Sequence, residues 1–93
     1  MTTERTGHGR ERHEEEGRPT TEASRDRQTA REVYFDMETG LFIFVGPHGR
    51  THVFTADGRH HTSFRTTKAN RWLRVKRGKW KPVARGALPE ELQ

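Results

Sequence analysis

The chain has no cysteine, which excludes thiol nucleophiles, disulfide staples and thiolate zinc sites and is compatible with a reducing compartment. Long apolar runs are missing too. The longest, Leu41–Val45, is five residues, against the roughly 20 that a membrane helix needs, so no membrane association is expected. The first twenty residues hold arginines, glutamates and glycines without an apolar core, and neither a secretory signal nor an acid-poor transit peptide fits them. A soluble, cytoplasmic protein is the expectation. Hydrophobic residues make up 28% of the 93 and aromatics 9%, enough for one small domain and too little for an enzyme with separate cofactor and substrate modules. Gly46-Pro47-His48-Gly49 and Lys76-Arg77-Gly78-Lys79 lack Walker or dinucleotide spacing and read as turns, so no cofactor is expected.

What the chain has is charge, 33% of its residues with a net +5, unevenly spread. Residues 1–32 and 33–64 each net −1, whereas residues 65–93 carry nine basic against two acidic side chains and net +7. After Met1 the first large aliphatic residue is Val33, so residues 1–32 read as a polar arm, disordered to about residue 18. The run after Pro19 has cap chemistry and helix formers but no apolar stripe, which predicts a frayed helix that orders on a partner.

Glycines at 40, 49 and 58 recur every nine residues, about five residues of strand plus four of turn. This predicts a four-stranded antiparallel β-meander with strands near 33–36, 41–45, 51–55 and 60–65. If Ala56–Arg59 forms the third turn, Phe54 lies opposite His61, Val53 opposite Thr62 and His52 opposite Ser63, which puts His52, Phe54, His61 and Ser63 on one face. If the turn from Gly46 to Arg50 uses all five residues, Val45 lies opposite Thr51, and Leu41, Ile43, Val45, Val53 and Phe64 form an aliphatic core face. Phe42 and Phe44 then join the histidines on an outer face. So thin a core predicts marginal stability, or support from a partner or a homodimer through that outer face.

Past Phe64, Thr66 or Thr67 can cap a short basic helix that ends at Gly78. In that helix Trp72 and Leu73 would pack on the sheet, with Lys68, Arg71 and Arg74 outward. The rival is a hairpin from Trp72–Val75 through Lys79–Val83. The expected architecture is therefore α+β, with residues 33–83 as a single small globular domain and 84–93 as an irregular tail.

The strongest chemical signal is Arg65, Lys68, Arg71, Arg74, Lys76, Arg77, Lys79, Lys81 and Arg85, uninterrupted by any acid and interleaved with Trp72 and Trp80. Such cations repel one another unless a polyanion screens them, and indoles and guanidinium planes stack on exposed bases. A small nucleic-acid-binding protein is the leading expectation, RNA or DNA unspecified. The second signal is histidine. His52 and His61 on one face could act as base and acid on a ribose 2′-hydroxyl and a leaving 5′-oxygen, with Arg65 or Arg59 holding the phosphate and Ser63 orienting. That gives the alternative, a compact ribonuclease that needs no metal. His48, His52, His60 and His61 do not suggest a metal site, because adjacent His60 and His61 point to opposite faces of a strand. A protein-interaction adaptor docking an acidic partner is a further alternative.

The segment Tyr34-Phe35-Asp36-Met37-Glu38-Thr39-Gly40-Leu41 is similar to the strand-turn-strand of YD-repeat proteins. A preceding helix, a β-meander and histidines on inner strands resemble the plan of small bacterial ribonucleases such as barnase and the RelE-type toxins. That resemblance implies the ribonuclease alternative and assigns no residue.

Overall fold

The computed structural model describes residues 20–93; the arm expected to be disordered through residue 18 lies outside them. Helix α1 spans Ala23–Thr29, followed by strands β1 (Glu32–Asp36), β2 (Phe42–Val45), β3 (Arg50–Phe54) and β4 (His60–Arg65), helix α2 (Lys68–Lys76) and strand β5 (Trp80–Pro82). The architecture is α+β. All neighbouring strands are antiparallel, in the order β4-β3-β2-β1-β5.

The four expected strands are present, but a fifth joins them. Residues 80–82 return beside β1, pairing Trp80 with Asp36 and Pro82 with Tyr34, and β5 is an edge where a proline removes no needed donor. The basic helix is therefore not C-terminal to the sheet; it links β4 at one edge to β5 at the other. The helix reading of 67–83 holds and the rival hairpin does not form: residues 72–75 lie in α2, and the strand at 80–82 pairs with β1 instead. The Thr67 hydroxyl caps α2 by accepting from Asn70 N–H at 3.1 Å. Its end is a Schellman turn: Lys79 N–H donates to Arg74 O at 2.9 Å and Gly78 N–H to Val75 O at 3.0 Å, with Gly78 at φ +76°.

The strands follow the predicted turn chemistry. The Asp36 carboxylate accepts from Glu38 N–H at 2.9 Å and Thr39 N–H at 3.2 Å in the first turn. The second uses Gly46–Arg50 in full, with His48 and Gly49 at φ 59° and 77°, so Val45 pairs with Thr51 as expected.

Two apolar layers result, one on each face of the sheet. Ile43 and Val53 pack with Trp80 and with the half-buried Tyr34, Leu41, Phe64 and Val75 under α2, so the predicted aliphatic face is core. The opposite face is core as well. Val33, Phe44 and Phe54 are covered by Ala23, Ala30, Leu88 and Leu92, and Phe44 is fully buried. Phe44, expected on an outer face, is therefore inside, and Phe42 is half-buried against the same cluster. Helix α1 docks through small residues that need no large stripe, and in the tail the 3₁₀ turns at 85–87 and 90–92 seat leucines on the sheet. The packed unit extends on both sides of 33–83. Among the described residues no helix is long and apolar enough to cross a membrane.

Candidate nucleic-acid interface and a buried histidine network

The histidine constellation depends on register. His52 pairs with Ser63 and Val53 with Thr62 as expected, but the next pair is Phe54 with His60. A β-bulge inserts His61 between those pairs, and one extra residue exchanges which neighbour reaches a given face. His60, not His61, therefore joins His52, Phe54 and Ser63.

These side chains form a chain of short hydrogen bonds that ends on α1. His52 Nε2 lies 2.7 Å from Asp26 Oδ2, His52 Nδ1 lies 2.7 Å from Ser63 Oγ, and Ser63 Oγ lies 2.8 Å from His60 Nε2. A carboxylate only accepts, so a neutral His52 carries its proton on Nε2 and its Nδ1 accepts from the Ser63 hydroxyl. Arg50 completes the anchor with a bidentate grip on Asp26, at 2.8 Å and 3.0 Å. Burial works to raise the Asp26 carboxyl, but hydrogen bonds and charge from Arg50 and His52 outweigh it and hold the carboxyl below its usual range. Burial likewise dominates at His52 and lowers its pKa against the upward pull of Asp26. The neutral ring and ionised acid are the favoured pair.

This arrangement fastens helix to sheet. Asp26, His52 and Ser63 are each about 1% exposed or less, and both His52 nitrogens are engaged, so His52 offers no ring nitrogen to a substrate. Arg65 is exposed at the end of β4, in register with Arg50, and Arg59 sits in the third turn, 3.7 Å from Asp57. Asp26 was missed in the sequence. Its signal was the spacing Ala23, Asp26, Ala30, one helix face of small residues.

The cationic run divides by role. Arg71 donates to Glu32 at 3.0 Å and to the Thr66 hydroxyl at 2.9 Å. Arg74 lies 4.7 Å above the Trp80 ring and 5.8 Å from that of Phe64, and Arg85 donates to the carbonyls of Arg27 and Ala30 at the end of α1. Those three are structural. Arg65, Lys68, Lys76, Arg77, Lys79 and Lys81 are exposed and form no ion pair with any described acid. Strand alternation places Arg65 and Lys81 toward the α1 side, leaving Lys68, Lys76, Arg77 and Lys79 on and after α2.

The tryptophans divide too. Trp80 is 2% exposed and stacks on Tyr34, whereas Trp72 is 58% exposed. The helix is rotated from the expected orientation: Val75 faces the sheet, with Arg71 and Arg74 half-buried beside it, because Glu32 and Trp80 give those guanidiniums partners. Trp72 is left on the outside between Lys68 and Lys76, four residues to either side, and the Lys76 ammonium lies 4.8 Å from its ring centre. Clefts of about 290 Å³, containing Lys68, Trp72 and Glu32, and about 390 Å³, containing Arg77 and Lys79 together with Asp36 and Glu38, flank the helix. No family model, curated protein or solved structure matches the chain.

Proposed function

We propose that the protein binds nucleic acid through α2 and the turn that follows it. The supporting observation is the Lys68-Trp72-Lys76 stripe, an exposed indole between two exposed ammonium groups. The ammonium groups attract phosphate, and an indole in water gains from stacking on a base, at about 1–3 kcal/mol per base. Arg77 and Lys79 extend the same positive surface. Trp80, Arg71, Arg74 and Arg85 leave the proposed contact set because the fold already uses them.

The test is purified protein with labelled single-stranded RNA and duplex DNA in EDTA at two salt concentrations, reading mobility shift and strand cleavage together. The expected result is a salt-sensitive shift with intact strands, lost in a Lys76→Glu/Arg77→Glu/Lys79→Glu variant. Each phosphate contact removed lowers the slope of log K against log salt by about 0.7–0.9. Cleavage that His61→Ala abolishes would replace this reading with the ribonuclease. No shift at low salt would overturn both and send the basic surface to acidic protein partners.

A further inference from the structure

The cleft beside Trp72 contains one group that phosphate binding does not explain. The cleft is lined by Tyr34, Trp72, Val75 and Pro82, by the cations Lys68 and Arg71, and by Glu32. Glu32 is 42% exposed in its side chain, and Oε1 alone accepts from both Tyr34 OH at 2.8 Å and Arg71 Nε at 3.0 Å. Those two donors fix the carboxylate, and Oε2 accepts no hydrogen bond from a described residue. A carboxylate repels phosphate, so in a cationic cleft it suits a ligand that brings a hydrogen-bond donor.

Resting on the nucleic-acid reading above, we infer that this cleft takes one base of a single-stranded nucleic acid and selects a base with an exocyclic amine, cytosine over uracil. At about 290 Å³ the space suits a single small planar group, near the lower limit of ligand pockets, and a duplex would not offer an unstacked base to it. Trp72 supplies the stacking plane and Lys76 and Lys68 the phosphate contacts. The N4 amine of cytosine donates to Glu32 Oε2, the pairing that acidic side chains make with that base. Uracil presents a carbonyl oxygen at the same position, and two acceptors facing each other repel.

The experiment is fluorescence anisotropy of the full chain with oligocytidylate and oligouridylate of about 10 nucleotides, within single-strand site sizes, and with a duplex of equal length. The expected result is about 10-fold tighter binding of oligocytidylate than of oligouridylate, with the duplex weaker than either. Glu32→Gln should bring the two strands to near equality while keeping salt-sensitive binding, and Trp72→Leu, at an exposed position, should weaken both strands and spare the duplex. Equal affinity of the native protein for the two strands, or a cytosine preference that survives Glu32→Gln, would overturn the inference and leave the nucleic-acid reading standing. Absence of binding to all three probes would overturn both. Should Glu32→Gln fail to fold, the native comparison and Trp72→Leu decide it.

Discussion

His52 Nε2 stands 2.7 Å from Asp26 Oδ2, and this contact, across 26 positions of sequence, ties α1 to β3 near the middle of the sheet. Its strength depends on pH in a direction the two groups fix. His52 has an ordinary value of 6.5, lowered in the fold, so below about pH 6.5 the unfolded chain takes up a proton that the folded chain refuses. Stability contributed by the neutral ring is complete above 6.5 and falls as pH drops toward the folded value, by at most about 1.4 kcal/mol per pH unit for one proton. Asp26, lowered from 3.8, adds a second loss as pH falls below 3.8 through its folded value. Urea midpoints measured against pH should therefore show decline setting in near 6.5 and steepening in stronger acid. In His52→Gln the His52 contribution should vanish while the acid step from Asp26 remains; an unchanged pH profile in that variant would refute this role for the ring.

Asp26→Asn isolates the acid itself. Arg50, whose side chain is 16% exposed, would keep its charge and lose the carboxylate that balances it. Removing one partner of a buried pair costs about 3–5 kcal/mol, and the residual exposure of Arg50 sets the expectation at the lower end, about 3 kcal/mol. Replacing both partners, as in Asp26→Leu/Arg50→Met, should recover only part of the loss, because the desolvated charge disappears with its partner while the buried His52 Nε2–H is left without its acceptor. A single-variant cost below about 1 kcal/mol in equilibrium urea unfolding would mean the pair contributes no more than a surface contact.

Much of the sheet was legible because period-two alternation and glycine-bearing turns are local signals: the Val45–Thr51, Val53–Thr62 and His52–Ser63 pairs all follow from them. Features set by distant partners were not. The bulge at His61 brings His60 Nε2 to the Ser63 hydroxyl in a network anchored on Asp26, and no turn motif near residues 56–59 announces it. The second face became core only because Ala23, Ala30, Leu88 and Leu92 arrive from both ends of the described chain, segments whose composition reads as polar. The candidate site was half legible: the cationic run and its tryptophans stand in the sequence, but which of them are exposed depends on how Glu32 and Trp80 rotate α2.

Gly49 offers a sharp backbone test. It combines φ +77° with a close approach, since a Cβ there would stand 2.2 Å from Thr66 O, and its own carbonyl accepts from Thr66 N–H at 2.9 Å. Gly78 has nearly the same φ, +76°, with nothing within 4 Å of a Cβ. Gly78→Ala should therefore cost only the left-handed backbone, about 1–2 kcal/mol, and Gly49→Ala clearly more. Equal unfolding midpoints for the two variants would show that the β2–β3 turn moves away from Thr66 without penalty.

The tryptophans should separate stability from binding. Trp80→Ala removes a ring buried against Tyr34 and Arg74 and should cost about 3–5 kcal/mol, whereas Trp72→Ala, at a ring 58% exposed, should shift stability by about 0.5 kcal/mol or less. Fluorescence gives an independent reading. With Trp72→Phe the remaining emission comes from Trp80 and should be blue-shifted and shielded from acrylamide. With Trp80→Phe it comes from Trp72 and should be red-shifted, readily quenched by acrylamide, and quenched again when single-stranded RNA is added. If RNA instead alters the Trp80 signal and leaves Trp72 untouched, the ligand does not stack on the outward face of α2, and the contact surface must be sought at the cleft that Trp80 lines with Arg77 and Lys79.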